Sequence, residues 1–136
     1  MRLKPVLCLV ALMMSAIGGL RAADTNSLPV TKVKRIGVEE YDQLRTATNT
    51  VLLDVRTAAE FEKGRIPHAI NLDINSPRFA AQIAALDTNK TYLVNCAVGM
   101  RSARACKKME TLGFGKLYDL APGFDGWQKA LKPVQK

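Results

Sequence analysis

Tyr92-Leu93-Val94-Asn95-Cys96-Ala97-Val98-Gly99-Met100-Arg101-Ser102 joins a nearly unbroken apolar run to the start of an amphipathic segment. Thr91 to Asn95 has the character of a strand buried on both faces, and such strands belong to parallel sheets covered by helices. From Arg101 the period changes, with Ala105, Cys106, Met109 and Leu112 forming an apolar side that ends at Gly113. A strand running through a short loop into a helix is the repeating unit of a parallel sheet, whose ligands bind outside the carboxyl ends of the strands. Cys96 holds that position. The loop after it can turn successive N–H groups inward as a nest for an anion, and the helix N-terminus adds partial positive charge. Gly99 permits the tight curvature. A cysteine on the floor of such a nest is expected to have a depressed pKa and to be a thiolate at neutral pH, the reactive form. Arg101 is expected to add a full charge at the rim, and Ser102 to serve mainly as a first-turn hydroxyl that helps satisfy the loop.

Outward from this stretch the same alternation recurs. Upstream, Val33 to Ile36 reads as a short strand and Val38 to Ala47 as a helix with Glu39 and Glu40 in its first turn. Val51 to Val55 is a second buried strand, Thr57 to Lys63 a short helix closed by Gly64, and Ile70 to Leu72 a brief strand. Ser76-Pro77 has the form of a cap and first turn, with Phe79, Ile83 and Leu86 at helical spacing behind it. Downstream, Lys116 to Leu120 is a strand and Phe124 to Leu131 a last helix, stopped by Pro133. Five strands alternating with helices predict an α/β layer fold, with a central, mostly parallel sheet and helices on both faces.

The chain has 136 residues, 48% of them hydrophobic and 24% charged, with nine Gly and six Pro, which excludes collagen, low-complexity disorder and a disulfide-dense scaffold. Arg2 and Lys4 precede an apolar run, Val6 to Leu20, that ends in Leu20-Arg21-Ala22-Ala23. That pattern reads as a secretory signal peptide over residues 1–22, cleaved after Ala22 or Ala23, and is shorter than a spanning helix. Residues 23–32 read as a flexible lead-in and 33–132 as the single domain. Loss of Arg2, Lys4 and Arg21 lowers the net charge from +8 to +5. No basic run with interleaved aromatics is present, so nucleic-acid binding is not expected, while the mild positive field favours small anions. The mature chain keeps Cys96 and Cys106. Because Cys106 falls on the apolar side of its helix, a core position is expected for it rather than a bridge to Cys96. With one histidine and no Cys-x-x-Cys, neither a metal site nor a thioredoxin-like exchanger is indicated.

Cys96-Ala-Val-Gly-Met-Arg101-Ser102 resembles the Cys-x-x-Gly-x-Arg-Ser active-site loop of single-domain rhodanese-like sulfurtransferases. Leu52-Leu53-Asp54-Val55-Arg56 with Glu60-Phe61, Gly64-Arg65-Ile66-Pro67-His68-Ala69-Ile70-Asn71, and Leu117-Tyr118-Asp119-Leu120 leading to Gly123-Phe124-Asp125-Gly126-Trp127 agree with it in the family's order. With its signal peptide the chain is most similar to the exported, phage-shock-protein-E type. The resemblance implies a rhodanese-like three-layer fold and sulfur transfer through a Cys96 persulfide, from a small anionic donor such as thiosulfate or polysulfide to cyanide or a thiol. Ala97, Val98, Gly99, Met100, Arg101 and Ser102 would line the substrate, Arg101 would hold the donor, and Arg56 is a further candidate. No cofactor or metal is implied. The protein would be periplasmic, without stable membrane association after cleavage, and a monomer or a homodimer.

Two segments depart from the family pattern. Gly-His-Ile-Pro-Gly-Ala reads here Gly64-Arg65-Ile66-Pro67-His68-Ala69, and Gly-Gly before the last helix reads Pro122-Gly123. The lone His68 is expected to be structural or solvated, because this chemistry requires no histidine base. Asp54 and Arg56 are expected to have separate partners rather than to pair on one strand face, with Glu60 as an ion-pair partner for Arg56. Phe61, Phe124 and Trp127 are expected in the core or pocket wall. Cys-dependent phosphatases and arsenate reductases are a rival class, but they resemble Cys-x5-Arg, and Cys96 to Arg101 is Cys-x4-Arg. A non-catalytic or dedicated sulfur-carrier module of the same family is the other alternative.

Overall fold

Apolar runs too short for helices and amphipathic stretches too long for strands alternate along the chain. In the computed structural model, which describes residues 33–136, they become five strands and five helices. The predicted signal peptide and lead-in lie outside the described residues. The elements are β1 (Val33–Ile36), α1 (Val38–Leu44), β2 (Thr50–Asp54), α2 (Ala58–Lys63), β3 (Ile70–Asn71), α3 (Phe79–Ala84), β4 (Thr91–Asn95), α4 (Met100–Thr111), β5 (Leu117–Leu120) and α5 (Gly123–Lys129). The strands form one sheet in the order β1-β5-β4-β2-β3, with every pairing parallel. β4 is central, and its register sets Asn95 beside Asp54 of β2 and Val94 beside Asp119 of β5. The carboxyl ends of β2, β4 and β5 therefore share one rim, which Cys96 joins directly.

Side chains alternate across the pleat, so each central strand feeds two cores. Leu53, Tyr92 and Val94 pack with Phe79, Ile83, Ala105, Cys106 and Met109 on the side of α3 and α4. Leu52 and Leu93 pack with Tyr41, Phe124 and Trp127 on the side of α1 and α5. Trp127 is fully buried, meets Tyr41 edge-on at 6.0 Å, and donates its Nε1–H to the Pro133 carbonyl at 2.8 Å, so its one polar atom is satisfied. Among the described residues no helix is long and apolar enough to cross a membrane.

Element boundaries differ from expectation where local geometry intervenes. α1 ends at Leu44, three residues early, and Asn49 takes a φ of 60° in the turn into β2. Ser76-Pro77 forms a turn ahead of α3 rather than its first turn, with the Ser76 hydroxyl accepting from the Arg78 N–H at 3.2 Å. α4 starts at Met100, one residue early, because the left-handed bend falls at Gly99.

Candidate active site

The loop from Cys96 to Gly99 owes its shape to two glycines. Gly99 has φ +85°, and a Cβ there would lie 2.1 Å from the Ala121 carbonyl oxygen. Gly123, at the start of α5, has φ +62°, and a Cβ there would lie 2.3 Å from the Ala97 carbonyl oxygen. Neither position accepts a side chain. That close approach lets α5 support the loop from below, the Phe124 and Asp125 N–H groups donating to the Cys96 and Ala97 carbonyls at 2.8 and 3.0 Å. The departure to Pro122 is neutral for this geometry, since Pro122 has φ −81°, which the proline ring allows. The departure to His68 is not: His68 takes φ +68° where the family pattern has glycine. It is exposed, and its N–H donates to the Gln135 side-chain oxygen at 3.3 Å.

Cys96 is fully buried and free. The Gly99 N–H donates to its sulfur at 3.1 Å, and the Ser102 hydroxyl lies 3.4 Å from it. Burial pushes the thiol pKa up, but the Ser102 hydroxyl and the N–H groups of Ser102, Val98 and Gly99 together outweigh it, so the net shift is downward. The Gly99 N–H and the Ser102 hydroxyl thus meet at the sulfur, and Ser102 does more than satisfy the loop, because its hydroxyl lies against the thiol and favours the thiolate. Val98 and Met100 stand out from the loop, 57% and 72% exposed. Asp119, at the end of β5, is buried and paired with Arg35 at 3.0 Å. Burial pushes its carboxyl up, against the opposing pull of the Ser102 hydroxyl and Arg35.

The charged residues pair otherwise than expected. Arg56 does not seek a separate partner: its Nη2 donates to Asp54 Oδ2 at 2.7 Å and its Nε to Asp54 Oδ1 at 3.0 Å. The chain bends at Arg56, and the Arg56 N–H also reaches Asp54 Oδ1 at 3.0 Å, so the strand-face geometry behind that expectation no longer applies. The Arg56 guanidinium further donates to the Gly64 carbonyl at 2.7 Å and lies 4.1 Å over the Phe124 ring. It is only 4% exposed, and it ties β2, the end of α2 and α5 together.

Glu60 does not pair with Arg56. Its two carboxylate oxygens receive the two terminal nitrogens of Arg101, both at 2.8 Å. The same carboxylate completes a capping box, accepting from the Thr57 N–H at 3.0 Å while the Thr57 hydroxyl accepts from the Glu60 N–H at 3.3 Å. Hydrogen bonds from Arg101 hold the Glu60 carboxyl at about 2, despite the opposing effect of its partial burial. Arg101 is thus clamped rather than free at the rim. The signal for Glu60 was the Thr57-x-x-Glu60 spacing of a capping box. That spacing places the carboxylate at the start of α2 but says nothing of Arg101.

A cavity of about 250 Å³ opens beside Ala97, lined also by Arg56, Glu60, Lys63, Gly64, Phe124, Asp125 and Gln128. A larger one, about 470 Å³, runs between β1 and α4 and is lined by Gly99 and Met100 but not by Arg56; the buried Cys96 lines neither. Among the described residues no group of three or more His, Cys, Asp or Glu is placed to hold a metal ion.

The arrangement suits a nucleophilic thiolate that forms a covalent intermediate within a fixed set of N–H donors. The rhodanese-like domain model matches residues 37–130. The thiosulfate sulfurtransferase GlpE of Pseudomonas savastanoi pv. phaseolicola is 35% identical over 99 residues, covering 73% of this chain and 91% of its own. The crystal structure of a rhodanese-related protein from Thermoplasma volcanium superposes with a TM-score of 0.65 at 30% identity, covering 75% of this chain and 97% of that one. A Rhodopseudomonas palustris protein described as a possible tyrosine phosphatase shares the fold alone, at 24% identity and a TM-score of 0.64, covering 86% of this chain and all of that one. The chain belongs to the rhodanese-like family, among its single-domain sulfurtransferases.

Proposed function

We propose that this protein transfers sulfane sulfur through a persulfide on Cys96, taking it from thiosulfate or a related donor and passing it to cyanide or a thiol. The observation that carries the reading is the hydrogen bond from the Gly99 N–H to the Cys96 sulfur, with the Ser102 hydroxyl beside it. The thiolate attacks the outer sulfur of thiosulfate, the S–S bond of the donor breaks, and sulfite leaves with its electron pair. The anionic terminal sulfur of the persulfide then sits among the N–H groups that held the thiolate. An acceptor attacks that sulfur and regenerates Cys96. Cys96, with Ala97, Val98, Gly99, Met100, Arg101 and Ser102 around it, forms the site, and Arg56 acts from behind as a support of its wall. The apolar run behind Arg2 and Lys4 supports removal of residues 1–22 on export, so that the mature enzyme works in the periplasm.

Intact mass before and after thiosulfate tests the reading. The expected result is a gain of one sulfur atom on the wild type, removed by cyanide and absent from Cys96→Ser. A wild type with verified free thiol that gains nothing from thiosulfate overturns the thiosulfate reading, and retention of the sulfur against cyanide and small thiols favours a dedicated carrier. A mass beginning at Ala23 or Asp24 after export supports the cleavage site.

A further inference from the structure

Arg35 stands on β1, directly opposite Asp119 of β5 in the parallel register. Residues opposite each other share a face of the sheet, and the Arg35 Nη1 donates to Oδ2 of the buried Asp119 carboxylate at 3.0 Å. Asp119 thereby anchors the guanidinium and aims the rest of it. Nη1 also donates to the Gly99 carbonyl and Nη2 to the Ala121 carbonyl, both at 3.4 Å. The Ala121 carbonyl is the one against which Gly99 is pressed at its left-handed bend, and a Cβ on Gly99 would lie 2.9 Å from Arg35 Nη2 as well. One planar fork therefore holds the bend and the exit of β5 on which it rests. The same Gly99 supplies the N–H that donates to the Cys96 sulfur. A glycine has the widest choice of backbone conformations, and Gly99 caps α4 with no side-chain hydrogen bond, so its conformation is fixed by what packs on it.

From this geometry we infer that Arg35 is a positioning residue for the sulfur-transfer reaction proposed above: anchored on Asp119, its guanidinium fixes the Gly99 bend and keeps the Gly99 N–H aimed at the Cys96 thiolate. It acts through the backbone of the loop rather than on the reacting atoms, and the inference rests on the transfer reading for its consequence. The match to the rhodanese-like domain begins at residue 37 and leaves Arg35 outside it. Asp119 is the less informative member of the pair to alter, because the Ser102 hydroxyl also acts on its carboxylate. Arg35 faces the larger cavity with Gly99 and Met100, so a direct contact with a donor anion is the rival role that the experiment must separate.

Arg35→Lys isolates the fork from the charge. It keeps a cation for the buried Asp119 carboxylate, but an ammonium does not reproduce the planar donor set that spans Asp119, Gly99 and Ala121. Two quantities are measured: the pH midpoint of thiolate formation at Cys96, from ultraviolet absorbance with no donor present, and single-turnover loading by thiosulfate over a range of concentrations. In Arg35→Lys the midpoint is expected to rise by about half a unit and the saturated loading rate to fall roughly threefold, the scale of one weak hydrogen bond, with the half-saturating thiosulfate concentration unchanged. Arg35→Met, which also loses the charge, should move both quantities further in the same direction; if it does not fold, Arg35→Lys decides alone. A midpoint and a saturated rate at wild-type values in Arg35→Lys overturn the positioning role, even where the urea midpoint falls. A raised half-saturating concentration with the thiolate midpoint unchanged overturns it in favour of donor binding. Failure of the wild type to load from thiosulfate overturns the transfer reading instead, while the thiolate midpoint still decides whether Arg35 aims the Gly99 N–H.

Discussion

Two cysteines ten positions apart, both free, both fully buried and both in the same core cluster, have opposite acidities. Cys106 lies within α4, where the N–H groups around it are committed to the helix, and burial pushes its thiol far up. Cys96 lies at the exit of β4, where the chain has left one regular element and not yet entered the next. Its surrounding N–H groups are available, and they overcome the same kind of burial. Burial alone thus does not decide whether a cysteine is inert or nucleophilic; the supply of uncommitted hydrogen-bond donors does.

Cys96→Ser should abolish sulfur loading, whereas Cys106→Ser should load at the wild-type level and lose about 1–3 kcal/mol of stability to a buried hydroxyl, read from urea midpoints. Loss of loading in Cys106→Ser would break the contrast. Gly99→Ala tests whether donor supply depends on the left-handed bend. Strain at φ +85° and collision with the Ala121 carbonyl should distort the loop and cut the loading rate roughly a hundredfold, in a protein that still melts cooperatively. Ser102→Ala removes one donor and leaves the backbone in place. The pH midpoint of thiolate formation at Cys96, followed by its ultraviolet absorbance, should rise, and loading at pH 7 should fall roughly tenfold. The smallest effect concerns the ion pair at the mouth. The Glu60 carboxyl in the folded protein sits at about 2, below its ordinary value, so the stability contributed by the Arg101 pair is complete above that ordinary value and is lost as pH falls toward 2. Urea midpoints of wild type and Glu60→Gln should therefore differ near neutrality and converge as the solution is acidified.

The site was legible in the sequence where chemistry is local. Cys96 at a strand exit, Gly99 three residues on and a helix immediately after are neighbours in the chain, and backbone geometry over so short a span leaves few alternatives. The pairing of charges was not legible. Glu60 and Arg101 are separated by 41 residues, and they meet because β2 lies next to β4 in the sheet, which brings the start of α2 to the start of α4. The pairing of Asp54 with Arg56 is hidden in the sequence for the opposite reason. They are close in sequence, but their pairing depends on a change in chain direction after β2 that apolar patterning does not encode.

The role of Gly123 divides between the two levels in the same way. A glycine before the last helix was visible, but only the packing of α5 under the loop shows that it must lie against the Ala97 carbonyl. Periodicity and turn chemistry, which act between near neighbours, therefore determined the alternation of strands and helices, the parallel sheet and the position of the nucleophile. Strand order, which acts between distant segments, decided that the Glu60 carboxylate meets Arg101.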